Sequence, residues 1–238
     1  MRIIGHRGAR GEAPENTLGG FEYLKKIGIR AVEFDVRQLK DDTTIVIHDD
    51  SFLRTTGHDI SVYHCLPDDL GQYDHRQNWP LWTQAEFTPT FTQVMSVLKD
   101  FEHIEVEVKH VTDLAQAERL IARLDTELKN FHDQITITSF DEKVLQTLQI
   151  QQSRFKRGFL IEQDIKARAI EKALELGCCH IGWMDKLATT QMIQLSHEAQ
   201  LNISVWTVND VERAKILRDE GIQGLITDFP GLMQQQLK

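Results

Sequence analysis

Residues 31–50 read AVEFDVRQLKDDTTIVIHDD, and the spacing inside this stretch decides how the rest of the chain is counted. Val32, Phe34 and Val36 alternate with polar residues, as a half-buried strand requires. TTIVIHDD reads as a second strand, and it follows AVEFDVRQLK after only the turn-like DDTT. A parallel crossover needs a dozen or more residues, so these two strands form an antiparallel hairpin.

Outside the hairpin the chain keeps a different rhythm. LKKIGIRAVEFD, ALELGCCHIGWMD and LRDEGIQGLITD each close a helical pattern on a glycine and enter a short apolar strand with an acid near its end. Gly28, Gly177 and Gly221 suit the left-handed residue that stops a helix. Further strands are predicted at RIIG, HIEVEVKH, QITITSF, RFKRGFLI and NISVWTVN. Between them lie amphipathic helices such as Leu114, Ala117, Ile121, Leu124 and Leu128, or Val211, Ala214 and Leu217 behind an Asp210 cap. Strands alternating with helices imply a parallel sheet. With the hairpin's second strand set aside, eight strands remain, starting near residues 2, 31, 104, 135, 156, 178, 203 and 222. Eight is the number that closes a (β/α)₈ barrel. An open doubly wound sheet is the alternative, and the chain offers no Gly-rich nucleotide loop to support it.

The 238 residues, 41% of them hydrophobic, suit one domain with a substantial core. A formal charge of −9 opposes phosphate backbones and anionic lipid, so neither nucleic acid nor stable membrane association is expected. No stretch approaches a membrane span. An N-terminus that passes straight into a strand leaves no room for a signal peptide, so a cytoplasmic protein is expected. The three cysteines lack disulfide or zinc spacing and read as core thiols. Homo-oligomerisation is left open. Residues 50 to 90 carry Trp79, Trp82, several His and Asp, three prolines and little periodicity, and read as an insertion that extends the catalytic face.

Side chains two apart on a strand share a face, so Glu33 pairs with Asp35, and Glu105 with Glu107 and Lys109. Carboxylates on an inward barrel face need partners or a cation, because that face is expected to be apolar. Glu33, Asp35 and Glu107 together offer hard oxygen ligands suited to one Mg²⁺ or Ca²⁺ rather than zinc. Taken singly, each motif is more often a solvated face or a structural ion pair. Strand ends near 6, 35, 48, 107 and 228 gather on one rim, however, and deliver two imidazoles, two basic residues and four acids. His6 and His48 titrate near neutrality and can exchange acid and base roles, while Arg7, Lys109 and a divalent cation would neutralise an anionic tetrahedral centre. Phosphoryl transfer fits this set, and no serine sits on a nucleophile elbow.

These motifs carry a resemblance. GHRGARGEAPENTLGGF, VEFDVRQLKDDTTIVIHDDSFLRTT, PTFTQVM, IEVEVK, TSF, SVWTVND and LITDFP occur in the order found in the glycerophosphodiester phosphodiesterase family, and they span nearly the whole chain. The resemblance implies a TIM barrel that hydrolyses glycerophosphodiesters, such as glycerophosphocholine or glycerophosphoethanolamine, to sn-glycerol 3-phosphate and an alcohol. It implies His6 and His48 as the acid/base pair, Arg7 on the phosphate, and Glu33, Asp35 and Glu107 on the metal, with Lys109 reaching the same oxygens. Glu15 would steady the loop after the first strand, Asn16 would lie near the rim, and Trp206 and Phe140 would wall the glycerol. Attack by the glycerol 2-hydroxyl, through a cyclic phosphate, and direct attack by water both stay open. Two departures bear on substrate preference: HDISVYHCLPDD replaces a Gly-rich segment, and Glu105 stands where the family often has Asn. Two other readings compete, a lysophospholipase D or sphingomyelinase-like enzyme on the same barrel, and a non-catalytic barrel that binds a cation or a phosphate metabolite. The negative charge opposes the first, and two titrating imidazoles oppose the second.

Overall fold

Alternation along the second strand sorts its side chains into two environments. Val32, Phe34 and Val36 turn outward and are buried under helices, while Glu33 and Asp35 turn inward. The structure, a computed structural model, describes residues 1–131 and 133–237. Its strands are β1 (Arg2–His6), β2 (Ala31–Gln38), β3 (Thr44–Val46), β4 (His103–Val108), β5 (Ile135–Ser139), β6 (Lys156–Ile161), β7 (His180–Met184), β8 (Asn202–Trp206) and β9 (Gly224–Thr227). Eight of them run parallel in the order β1, β9, β8, β7, β6, β5, β4, β2, and the β1–β2 pairing closes the ring into a (β/α)₈ barrel. β3 lies outside that ring, antiparallel to β2 with Val36 opposite Val46, as the short DDTT turn requires.

The helices are α1 (Leu18–Lys26), α2 (Leu53–Thr56), α3 (Phe91–Val97), α4 (Leu114–Glu127), α5 (Glu142–Ile150), α6 (Arg168–Glu175), α7 (Thr190–Glu198), α8 (Val211–Asp219) and α9 (Pro230–Gln236). Thr17 caps α1 by accepting from the Gly20 amide, and Asp210 caps α8 through the Arg213 amide. Gly28, Gly177 and Gly221 close helices with φ of 81°, 64° and 87°. The main core lies between strands and helices. Phe21 of α1 meets Phe34 edge-on at 5.6 Å, and Phe34 meets Phe91 of α3 at 6.1 Å. All three rings are fully buried, so truncating Phe34 to alanine would cost about 3–5 kcal/mol.

Several expectations are corrected. The barrel interior is polar rather than apolar: its apolar cluster is small, built from Ile4, Ala31 and Ile226. Glu105, at 1% exposure, accepts from His103 Nε2 at 2.9 Å and lies 3.5 Å from His180 Nε2 and 3.4 Å from Ser204 Oγ of β8. It therefore belongs to a network across the barrel and does not pair with Lys109. Leu114 is exposed, because it stands at the first position of α4, before the helix settles against the barrel. Cys179 is exposed too, on the turn leading into β7, while Cys65 and Cys178 are buried. Within the described residues, no helix is long and apolar enough to cross a membrane.

Segment 50–90 has its own small core, in which Phe52 stacks on Tyr73 at 4.1 Å beside Val62, Cys65 and Leu70. It is tied to the loop after β1. The Trp79 indole donates to the Arg10 carbonyl at 2.9 Å, and Arg54 grips Glu15 with bonds of 2.8 and 2.6 Å.

Candidate active site

The C-terminal ends of the strands converge on a cavity of about 130 Å³ lined by His6, Arg7, Glu33, His48, Glu107, Lys109, Phe140 and Trp206, together with Thr138, Leu160 and Glu162. Asp35 stands just behind this wall at 1% exposure. The nine residues singled out in the sequence are thus brought to one rim.

The loop after β1 explains the irregular stretch HRGARGEAPEN. A Cβ on Gly5 would fall 2.0 Å from the Gly8 carbonyl, so the chain turns back on itself immediately. Arg7 and Asn16 take left-handed backbone, with φ of 51° and 55°, and the Asn16 amide donates to the Arg7 carbonyl. This turn aims the Arg7 amide at Glu33 Oε2, 3.1 Å away, and the Asn16 side-chain amide at Asp35 Oδ2, 2.9 Å away. Glu15 collects three arginines, Arg7 at 3.0 Å, Arg10 at 3.1 Å and Arg54 at 2.6 Å. Burial pushes its carboxyl upward, but the hydrogen bonds from Arg54 and the charge of Arg7 prevail and bring it to about 2.

Each imidazole has its own carboxylate. His6 Nδ1 lies 2.6 Å from Asp228 Oδ1, and Asp228 Oδ2 accepts from Asn209 at 2.8 Å. His48 Nδ1 lies 2.8 Å from Asp49 Oδ1, whose other oxygen accepts from Arg54 Nε at 2.7 Å. Asp49 is held at about 2, since the His48 and Arg54 interactions outweigh the burial that would raise it. An ionised carboxylate on Nδ1 keeps the proton there and leaves Nε2 as the exchangeable nitrogen.

Glu33, Asp35 and Glu107 are buried and offer one oxygen each within 4.8 Å of one another. Lys109 bridges Asp35 at 2.6 Å and Glu107, and Arg7 Nε stands 3.3 Å from Asp35. Burial favours a neutral Asp35, but Lys109 and Arg7 overcome it and hold the group well below the carboxylate range. Glu33 goes the other way, pushed well up by burial and then by the Asp35 and Glu107 charges, and Glu107 is also raised by burial. Two cations do not balance the three carboxylates once all of them are ionised. An all-oxygen donor set with that deficit fits a hard divalent cation.

A strand end near residue 228 is expected on the rim from the sequence, but no role is expected there for Asp228, nor for Asp49, Arg54, Asn209 or Thr138. Asp228 was signalled by its place directly after a buried strand, and Asp49 by adjacency to His48. Arg54 and Asn209 carry little local signal, because Glu15 and Asp228 lie 39 and 19 residues away from them.

Known proteins match this chain over nearly its whole length. Residues 6–232 match the glycerophosphoryl diester phosphodiesterase family. A glycerophosphodiester phosphodiesterase of Bacillus subtilis is 27% identical, over 99% of this chain and 86% of its own. One from Caldanaerobacter subterraneus subsp. tengcongensis is 25% identical, over 96% and 94%. The solved structure of an Oleispira antarctica phosphodiesterase, in complex with the product sn-glycerol-3-phosphate, superposes with a TM-score of 0.90 at 26% identity, covering 100% of this chain and 96% of that one.

Proposed function

Because this chain belongs to the glycerophosphoryl diester phosphodiesterase family, we propose that it hydrolyses glycerophosphodiesters, such as glycerophosphocholine or glycerophosphoethanolamine, to sn-glycerol 3-phosphate and a free alcohol. The family makes it an enzyme acting on phosphodiesters. The finer reading is carried by one observation, the convergence of two imidazoles, Arg7, Lys109 and three carboxylates on a single cavity. The product held by the Oleispira antarctica relative supports the same substrate class.

A phosphodiester resists attack because it is already negative, so charge neutralisation and a proton for the departing oxygen are what the site must supply. Glu33, Asp35 and Glu107 would hold one divalent cation, Mg²⁺ or Ca²⁺, whose charge offsets that of the phosphate oxygens. Arg7 and Lys109 bind the same oxygens from the β1 and β4 sides. His6 and His48 divide the proton work through Nε2. One takes the proton of the attacking hydroxyl, from the glycerol 2-position or from water, and the other gives a proton to the alkoxide that leaves phosphorus. If a cyclic phosphate forms, water opens it with the roles reversed. Trp206 and Phe140, edge to face at 5.4 Å, wall the glycerol end.

In this reading residues 1–238 form a single catalytic domain, with segment 50–90 shaping its active face through Arg54 and Trp79. A cytoplasmic setting is supported by three free cysteines. The test is release of glycerol 3-phosphate from glycerophosphocholine, coupled to its dehydrogenase, in EDTA and after Mg²⁺ or Ca²⁺ is added back. Turnover restored by one ion is expected. Silence with every ion on every deacylated diester would sink the reading.

A further inference from the structure

The enclosed cavity opens into a wider groove of about 600 Å³, and His48, Glu107, Lys109, Phe140 and Glu162 wall both. The two ends differ in chemistry. In the enclosed part, Thr138 is fully buried and its Oγ1 has no hydrogen-bond partner among the described residues. A buried hydroxyl of this kind calls for a ligand hydrogen bond, and beside the Phe140–Trp206 pair it suits a polyol.

The open groove is acidic instead. Four carboxylates, Glu107, Asp141, Glu142 and Glu162, face the fixed cations Arg37 and Lys109. Three of the four are engaged: Glu107 with Lys109, Glu142 with Lys172, and Asp141 with His110, Lys143 and the Val111 amide. Glu162, the exposed residue that follows β6, has no hydrogen-bond or ion-pair partner among the described residues.

Resting on the proposed phosphodiesterase activity, we infer that Glu162 is a specificity-determining residue that selects diesters whose departing alcohol carries an ammonium group. The glycerol end then lies in the enclosed part against Thr138, and the alcohol end lies in the groove that Glu162 and Phe140 share. A carboxylate and an aromatic face together attract an ammonium. A neutral alcohol gains no such attraction, and an anionic one is repelled.

The test compares kcat/KM on glycerophosphocholine and on glycerophosphoglycerol, which share one end and differ in the departing alcohol. For Glu162→Gln the choline-to-glycerol ratio should fall about tenfold, mainly through KM, and for Glu162→Lys it should fall further. A ratio within twofold of wild type in both variants overturns this inference alone. A wild-type protein that hydrolyses neither diester with any divalent cation overturns the proposed activity, and this inference with it.

Discussion

His6 and Asp228, 222 residues apart in the chain, meet through a 2.6 Å contact between Nδ1 and Oδ1. The pairing exists because β1 and β9 are neighbours where the barrel closes, with Gly5 in register with Thr227. Asn209 holds the second Asp228 oxygen, so the carboxylate is oriented as well as charged.

Asp228→Asn should therefore disturb the His6 tautomer without emptying the cavity. We expect kcat to fall roughly 100-fold or more with KM little changed. Steady-state kinetics on glycerophosphocholine would check this, and an unchanged kcat would remove His6 from the proton work.

Glu33 is the carboxylate that its neighbours disfavour, since burial and the Asp35 and Glu107 charges push its proton affinity well up. Glu33→Gln relieves that repulsion, and its amide oxygen can still accept from Arg7. Metal-free protein should gain about 1 kcal/mol, a rise in Tm of roughly 2–4 °C. The added stabilisation by Mg²⁺ or Ca²⁺ should be lost. Thermal unfolding in EDTA and in excess cation measures both, and full cation protection in the variant would contradict the ligand assignment.

Glu15 is the hub for Arg7, Arg10 and Arg54. With its pKa depressed to about 2 by Arg54 and Arg7 against burial, its contribution to stability is complete above the ordinary carboxylate range. That contribution is lost as pH falls from about 4.5 to about 2. Glu15→Gln leaves the mostly buried Arg7 with Asp35 as its remaining ion-pair partner and should cost about 3 kcal/mol in urea unfolding at neutral pH. A loss under 1 kcal/mol would mean that Asp35 alone suffices for Arg7.

His75 is buried between the hydroxyls of Thr55 and Thr88, at 2.8 and 2.6 Å, and burial lowers its pKa to about 4. The unfolded chain binds the proton first, so acidification from about pH 6.5 to 4 should cost up to about 3 kcal/mol through this group. His75→Gln should flatten that part of the stability profile. Unfolding free energies at pH 7, 6, 5 and 4 for both proteins decide it, and parallel profiles would exclude His75 as the source.

The hairpin at 31–50, the eight barrel strands and the Asp210 cap were legible in the chain, because turn length, period-two alternation and capping are local constraints. His6, His48 and the three carboxylates stood out as candidates for a related reason. A polar side chain directly after, or alternating within, an apolar strand stands out against its neighbours.

What remained hidden depends on closure of the barrel. Whether Glu105 would meet Lys109 or His180, whether the interior would be polar, and that Asp228 would support His6, follow from which strands become neighbours and how they are staggered. Sequence alone determined which elements form and which face of each strand carries charge, since propensity and periodicity act over a few residues. Only the tertiary structure decided which charges share a dielectric environment. Coulomb interaction and desolvation depend on distance through space, and barrel closure brings residue 6 and residue 228 within one hydrogen bond.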